Sequence, residues 1–147
     1  MRIDETNISI IHHLKDGRTS FKKIADDLQL SEGTIRGRVK KLREEGVLEI
    51  SGLVDPDAIP DKSIVIAGIK LKSTDLVSKG EEFTKLRGVT SVCVVTGRFD
   101  LVVTVLLDKE FGMLEFYTEE VSKIDDVRSV ETFVVYKSFN LKVPLVV

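Results

Sequence analysis

The sequence has few cysteines, no membrane-length apolar run and no excess of one charge. Its 147 residues include a single cysteine, Cys93, which excludes an internal disulfide and a thiolate metal cluster. Such cysteine usage fits a reducing cytoplasm. The first residues, MRIDETNI, lack the basic stretch and apolar run of a secretory signal, and no apolar stretch approaches the length of a membrane helix. We therefore expect a cytoplasmic protein that does not bind a membrane.

Groupings of catalytic residue types are also missing. The sequence shows no nucleophile beside a base and no cluster of catalytic carboxylates or metal ligands, only isolated polar residues. We expect no enzymatic activity, no metal site and no cofactor.

The net charge of −2 means that the chain as a whole is not a polycation. Any surface for nucleic acid must therefore be local. Residues 1–50 hold ten basic and nine acidic side chains, and the remainder holds 12 basic against 15 acidic. Because this asymmetry is small, we expect DNA binding to need two copies of the binding element.

The first 50 residues have the 3.6-residue periodicity of helices. The first predicted helix is capped by Asp4, and one of its faces carries Ile3, Asn7, Ile10, Ile11 and Leu14. The second carries an apolar stripe of Phe21, Ile24, Ala25 and Leu28. The third is capped by Ser31 and buries Ile35, Val39 and Leu42. With the short connection between the last two helices, this pattern predicts a helix-turn-helix, and a strand or short hairpin at residues 47–54, bent at Gly52, would make it winged.

The rest of the chain alternates strands and helices. Residues 55–61 hold two of the three prolines and three acids, which predicts a linker. Strands are predicted at 63–72, 89–96, 100–107 and 128–139, with a short extra strand in the tail LKVPLVV. Helices are predicted at 75–87 and 109–124, with inward residues Leu76, Phe83, Leu86, Phe111, Leu114, Val121 and Ile124. This βαββαβ order is ferredoxin-like. The predicted class is α+β: a winged helix-turn-helix domain at 1–50, a strand and linker at 51–62, and a ferredoxin-like sandwich at 63–147.

The strands of this second half are apolar on both faces. In strand three, Leu101 and Val103 point one way, while Val102 and Leu106 point the other way. A sheet with helices on one face normally has a polar second face, so something must cover this one. The simplest cover is another copy of the same sheet, which predicts a homodimer.

The third helix carries a one-sided charge. From Gly33 to Arg43 it has five basic residues and no acid. Gly37 weakens the helix by about 1 kcal/mol relative to alanine, but it lets a neighbour approach the backbone closely. A solvated face usually has mixed charges at i, i+4, whereas Arg36 and Lys40 repel each other. We therefore favour DNA contact over a merely solvated face, and the candidate DNA-binding residues are Ser31, Gly33, Thr34, Arg36, Gly37, Arg38, Lys40, Lys41 and Arg43.

Three features together resemble the Lrp/AsnC (feast/famine) family of transcriptional regulators. They are the stretch LSEGTIRGRVKKLREEGVL, the linker VDPDAI, and a βαββαβ half that contains TGRFDLVV. The resemblance spans nearly the whole chain. It implies a sequence-specific regulator of transcription that binds double-stranded DNA and forms homodimers, which often assemble further into octamers. It also implies an amino-acid effector bound at residues 63–147, between neighbouring dimers.

The segment TGRFDL resembles the Gly-x-x-Asp loop of that family. The resemblance implies effector contacts at Gly97, Arg98, Asp100, Thr132 and Val134. From the residues alone, a hairpin turn is an equal interpretation, with Gly97 at positive φ and Asp100 bonding local amides. Turn amides can also hold an α-carboxylate, and Asp100 can take an α-ammonium. Thr132 can donate or accept a hydrogen bond, whereas Val134 can only shape a pocket.

Other functions stay open. An architectural, chromatin-like DNA binder would use little effector control. An enzyme is a further alternative because ferredoxin-like domains host several chemistries, and a stand-alone effector-binding or assembly module is another if the third helix does not bind DNA. Cys93 lies between two valines of a strand, and we expect its thiol to be packed.

Overall fold

The structure, a computed structural model, describes residues 3–145. The last two positions of the predicted tail strand, Val146 and Val147, lie outside the described residues. The chain divides into two compact units, one ending at Ser51 and the other beginning at Gly52.

Three helices form the first unit: α1 (Glu5–His13), α2 (Phe21–Leu28) and α3 (Glu32–Glu44). Each begins where a side chain accepts a backbone N–H of the first turn, and these caps are Asp4, Ser20 and Ser31. Gln29 ends α2 in the left-handed conformation, with a φ of 55°, and so turns the chain tightly toward α3. The core joins the three helices through the fully buried Ile10, Ile24 and Ile35. The predicted helix-turn-helix is confirmed.

Of the strand expected at 47–54, only the last two residues form a strand, and these two residues belong to the second unit. β1 (Leu53–Val54) pairs antiparallel with β6 (Val143–Pro144). Residues 47–52 form no strand. The backbone N–H groups of Val47 and Leu48 instead donate to the carbonyl of Leu42, and these hydrogen bonds close the C-terminal end of α3. The chain therefore does not fold back into the predicted wing, because the two apolar strand residues pair with the C-terminal tail.

The second unit has the predicted βαββαβ order. Its elements are β2 (Ser63–Leu71), α4 (Leu76–Phe83), β3 (Val89–Val94), β4 (Leu101–Leu107), α5 (Met113–Glu115) and β5 (Val127–Val134). The antiparallel sheet has the order β3-β4-β2-β5. The α+β ferredoxin-like arrangement is confirmed, and all four main strands are shorter than predicted.

The second helical segment is shorter and less regular than predicted. It begins at Met113 instead of near residue 109, because the carboxylate of Asp108 accepts the N–H groups of a preceding turn. After α5 it continues as a π-helical turn (Phe116–Glu120) and ends in a 3-10 turn (Val121–Lys123). The wider turn shifts the buried stripe. Leu114, predicted to face inward, is 69% exposed, and Phe116 is buried instead.

The predicted linker folds onto the second unit. A 3-10 turn at Pro56–Ala58 buries Pro56. On either side of that proline, Asp55 pairs with Lys142 at 2.7 Å and Asp57 pairs with Lys137 at 3.1 Å. These contacts fasten the segment to the end of the chain.

The sheet is apolar on one face and mixed on the other, so the prediction of two largely apolar faces holds in part. The helices cover one face, where Ala67, Ile69, Leu101, Val103 and Val105 are fully buried. On the other face, the chain covers one end itself, because Ile64 and Leu106 pack with Val143 of β6. The remainder, which we call the open face, includes Ile66, Gly68, Cys93, Val102 and Phe133, and the polar Thr104 and Glu131, in neighbouring registers.

Candidate nucleic-acid interface and effector region

Helix α3 presents the predicted face to solvent. Ile35, Val39 and Leu42 are buried, so the opposite side of the helix is free. At its start, the Ser31 hydroxyl accepts the N–H of Thr34 at 3.1 Å and lies 2.8 Å from the Thr34 hydroxyl. Both candidate hydroxyls are thus held at the exposed N-terminus of the helix.

Neither the packing nor the backbone conformation of the described chain requires glycine at the two glycine positions of α3. A Cβ atom added at Gly37 would meet nothing within 4 Å, and one added at Gly33 would meet only the Ser31 hydroxyl at 3.8 Å. Neither glycine has the positive φ that favours this residue type. Gly37 therefore weakens α3 without relieving any clash or strain in its own unit.

The cations of α3 are accompanied by acids from the ends of the same helix. Arg36 Nη2 lies 2.6 Å from Glu32, Lys40 lies 3.7 Å from Glu44, and Lys41 lies 4.0 Å from Glu45. The prediction that this face lacks the mixed charges at i, i+4 of a solvated helix is wrong, because the acids lie just outside the 33–43 stretch. Within residues 3–145, no carboxylate pairs with Arg43. Counting the i, i+4 spacing outward from Arg36 and Lys40 could have found these acids in the sequence.

Arg38 points to α1 and has a structural partner. Its Nη1 donates to both carboxylate oxygens of Asp4, at 2.9 and 2.8 Å, and to the amide oxygen of the buried Asn7 at 2.9 Å. The hydrogen bond from Arg38, together with the N–H of Asn7, lowers the pKa of Asp4 below its ordinary value. This candidate DNA contact is therefore already engaged in joining α3 to the cap of α1.

A groove of about 670 Å³ runs along the Arg36 edge of α3. Its rim carries three cations, Arg36, Lys40 and Arg43, and two acids, Glu44 and Glu49. Apolar atoms of Phe21, Val39 and Leu48 also line it. The cationic edge of the helix therefore borders a concave surface.

In the second unit, Asp100 has a specific partner on the neighbouring strand. Its carboxylate accepts the N–H of Leu71 at 2.8 Å and the ammonium of Lys70 at 2.8 Å. The Leu71 N–H and then Lys70 lower the pKa of Asp100 below its ordinary value. The predicted bond to local amides is therefore corrected: Asp100 extends the ladder between β2 and β4.

The rest of the 97–100 turn folds over the open face. Gly97 has the expected positive φ, at 119°. Arg98 pairs with Glu131 of β5 at 2.7 Å. The Phe99 ring covers Gly68 so closely that a Cβ atom there would lie 2.6 Å from the ring. A glycine in β2 is thus what lets the turn reach the sheet.

Thr132 and Val134 lie on the opposite face. Thr132 is registered opposite the fully buried Ala67, and Val134 opposite Val65, so both share the helix side of the sheet. The Thr132 hydroxyl is hydrogen-bonded to the Tyr117 hydroxyl. Tyr117, on the π-helical turn, is a partner that the sequence pattern did not indicate. Within one chain, the sheet separates Arg98 and Phe99 from Thr132 and Val134.

Other predicted features have plain outcomes. Cys93 is exposed on the open face, so the expected burial of its thiol is wrong for the single chain. Among the described residues, no group of three or more His, Cys, Asp or Glu side chains could hold a metal ion. No helix within residues 3–145 has the length and apolar character needed to span a membrane.

These two units define a class of protein. A helix-turn-helix with a free, cation-rich second helix, followed by an α+β domain with an antiparallel sheet, is the architecture of a two-domain transcriptional regulator. The family model of the AsnC-type helix-turn-helix domain matches residues 3–43, and the family model of the Lrp/AsnC ligand binding domain matches residues 64–144. The chain belongs to the Lrp/AsnC family of transcriptional regulators, so the predicted resemblance is confirmed.

Curated relatives agree along most of their length. An uncharacterized HTH-type transcriptional regulator of Pyrococcus abyssi is 30% identical over 134 residues, which cover 90% of this chain and 85% of the relative. The HTH-type transcriptional regulator FL11 of the same species is 30% identical over 138 residues, with coverages of 92% and 91%. Because the family and these relatives are transcriptional regulators, the prediction that the chain is not an enzyme is also confirmed.

Solved structures show the same fold. AsnC of E. coli matches with a TM-score of 0.66 at 25% identity, covering 94% of this chain and 95% of that chain. A transcriptional regulator from Neisseria meningitidis, solved as a complex with L-Met, matches with a TM-score of 0.67 at 19% identity, with coverages of 95% and 94%.

Proposed function

We propose that this regulator binds specific double-stranded DNA sequences through α3. The observation that carries the proposal is Gly37, a helix-weakening residue whose open backbone lies in a row of cations. Since its own unit gains nothing from the glycine, the close neighbour is best sought outside the chain. The contact set is that predicted from the sequence, with one change: Arg38, engaged by Asp4, orients α3 rather than binding DNA.

Two chains would bring two copies of α3 to the DNA. The open face supports a homodimer, because it exposes apolar side chains on an ordered sheet; Phe133 is 45% exposed. Tyr136 and Phe139, which follow β5, are large apolar side chains that are 96% and 84% exposed. A second copy of the sheet would cover these groups. We also propose that the dimers assemble further into octamers. The protein would act in the cytoplasm, where such a regulator meets DNA.

The effector proposed is an amino acid. The ligand-binding domain of the family and the L-Met complex of the Neisseria neighbour support this class of ligand. The turn at Gly97, Arg98 and Asp100 would hold the main-chain groups, and Thr132 and Val134 would select the side chain. Since the sheet separates Arg98 from Thr132 within one chain, a site that uses both groups needs residues from neighbouring copies.

An architectural DNA binder with little effector control is the second candidate. The observation that favours it is that Asp100 already has partners at both carboxylate oxygens, Lys70 and the Leu71 N–H. An ammonium group would have to share Asp100 with these partners or displace Lys70.

One selection experiment separates the two candidates. Sequences bound by the wild-type chain are selected from random duplex DNA, and the selection is repeated in the presence of each amino acid. We expect a consensus with two related half-sites, because dimers present two helices, and a shift in affinity or occupancy with one amino acid. A consensus indifferent to all of them would favour the architectural candidate, and the lack of any consensus would refute sequence-specific binding.

The variants Arg36→Ala and Lys40→Ala test the proposed face. Arg36→Ala should cost about 1–3 kcal/mol on the selected site and relax the preference at one base pair, if Arg36 makes a bidentate base contact. Lys40→Ala should weaken all sequences similarly, since a lysine at a phosphate carries no sequence information. Wild-type affinity in both variants would contradict the assignment.

A further inference from the structure

Among the cations of α3 that are not engaged by α1, Arg36 is contacted from two sides. Its Nη2 lies 2.6 Å from Glu32 Oε1 and forms a hydrogen bond with it. Its guanidinium carbon also lies 5.3 Å from the centroid of the Phe21 ring. Lys40 and Lys41 have only the longer ion pairs with Glu44 and Glu45. Arg38 is engaged by Asp4 and Asn7. Of the cations of α3 that remain for DNA, Arg36 is therefore the one whose orientation is most strongly defined.

The two groups that contact Arg36 stand at the starts of helices. Glu32 is the first residue of α3, and Phe21 is the first residue of α2. Phe21 is half-buried and packs against the core of the first unit. Arg36 nevertheless keeps 65% of its side-chain surface exposed, so it remains accessible to a partner. The guanidinium is held in place but not buried.

Such a clamp has two consequences for DNA binding. The hydrogen bond uses one nitrogen of a guanidinium that has five N–H donors, so donors remain for a bidentate contact with the O6 and N7 atoms of guanine. The carboxylate also opposes attraction to phosphates, which acts equally on every sequence. Only the first effect raises the ratio of specific to non-specific binding, because it favours the correct base. The second weakens binding to all sites alike and leaves the ratio unchanged.

Resting on the proposed DNA-binding function, we propose that Glu32 is a specificity-determining positioning residue, which with Phe21 orients Arg36 for a base contact. Glu32 itself touches no base. Its action passes through Arg36, so loss of Glu32 and loss of Arg36 should relax the preference at the same base pair of the operator.

The test compares Glu32→Gln with Glu44→Gln. Both variants remove one negative charge from α3, but only the first weakens the contact that holds Arg36, because a neutral amide oxygen is a poorer acceptor for a guanidinium than a carboxylate. Affinities for the selected duplex, for single-base variants of it and for an unrelated duplex are measured by fluorescence anisotropy at one fixed salt concentration. Both variants should bind the unrelated duplex more tightly, because a repulsive charge is gone. Glu44→Gln should gain equally on the selected duplex and keep the wild-type ratio.

Glu32→Gln should lose specificity. We expect the ratio of specific to non-specific affinity to fall by roughly fivefold or more, the lower end of what one bidentate base contact contributes. The loss of preference should be confined to one base pair of the operator, the same base pair at which Arg36→Ala no longer distinguishes between bases. Phe21→Leu, which keeps an apolar side chain but removes the ring, should reduce the preference at that same base pair without a charge change. Circular dichroism checks that each variant is folded.

The outcomes distinguish this inference from the proposed function. If wild-type protein binds all duplexes equally, sequence-specific binding is refuted, and the role of Glu32 falls with it before any variant is examined. If the wild type is specific and Glu32→Gln keeps the wild-type ratio, the positioning role alone is refuted. A loss spread evenly over all base pairs would also overturn it, because a disturbed helix, rather than one misplaced guanidinium, would then explain the result.

Discussion

Replacing Gly37 with alanine should stabilise the free protein and weaken its binding to DNA. The added Cβ atom meets nothing within 4 Å, so no clash opposes the substitution. Alanine is favoured over glycine in a helix interior by about 1 kcal/mol. A gain of that size raises the melting temperature of a small domain by about 4–8 °C. The first unit should therefore melt several degrees later.

The effect on the complex has the opposite sign. If DNA approaches the backbone at Gly37 as closely as the missing side chain permits, a methyl group there must displace it. Overpacking by one methyl group costs about 1–3 kcal/mol, which corresponds to roughly one to two decades in the Kd for DNA. Packing within the chain cannot produce this opposition of signs, because the substituted position has no neighbour in its own unit.

Calorimetry and fluorescence anisotropy measure the two effects separately. Since a chain of two units need not unfold in one step, hydrogen exchange of the α3 amides assigns the stabilised transition to the first unit. The matched control is Gly80→Ala, a helical glycine of α4 whose Cβ would meet Val94 at an ordinary 3.6 Å. This control should leave DNA affinity unchanged. A stabilised Gly37→Ala variant that binds DNA like the wild type would refute the close approach, and a destabilised one would refute the open environment of Gly37.

Three further predictions concern assembly, effector binding and pH. Val102→Glu places a charge on the open face and should yield a folded monomer in sedimentation. Val103→Glu instead puts a carboxyl group at a fully buried position and should unfold the second unit. A Val102→Glu variant that sediments as a dimer would reject the open face as the interface. Asp100→Asn keeps an acceptor for the neighbouring strand but removes the negative charge. Calorimetry should therefore show weaker binding of every amino-acid effector, with the fold intact. Normal effector affinity in this variant would count against the site. Asp4 has a lowered pKa in the folded state, so it stabilises the first unit above its ordinary pKa of 3.8, and that contribution disappears as the pH falls through the folded-state pKa. Asp4→Asn can still cap α1, and it should remove this part of the acid unfolding seen by circular dichroism; an unchanged acid transition would show that the contact with Arg38 contributes nothing.

Local patterns predicted the helices of the first unit and the order of elements in the second. Asp4 and Ser31 are caps because each accepts an N–H only three residues away. Where a contact comes from farther along the chain, prediction was weaker. The tail strand β6 pairs with β1 and leaves no wing. Such contacts compete with local preference and leave no periodic signal.

The sequence by itself determined the fold class, the buried face of α3 and the family, because helix and strand periods and capping residues are properties of neighbouring positions. Only the tertiary structure decided how individual site residues are used. It joined Arg38 to Asp4 across 34 positions and Asp100 to Lys70 across 30 positions, and it set Arg98 and Thr132 on opposite faces of one sheet. The physical reason is that a hydrogen bond depends on distances of about 3 Å between side chains, and those distances exist only after strands and helices have packed together.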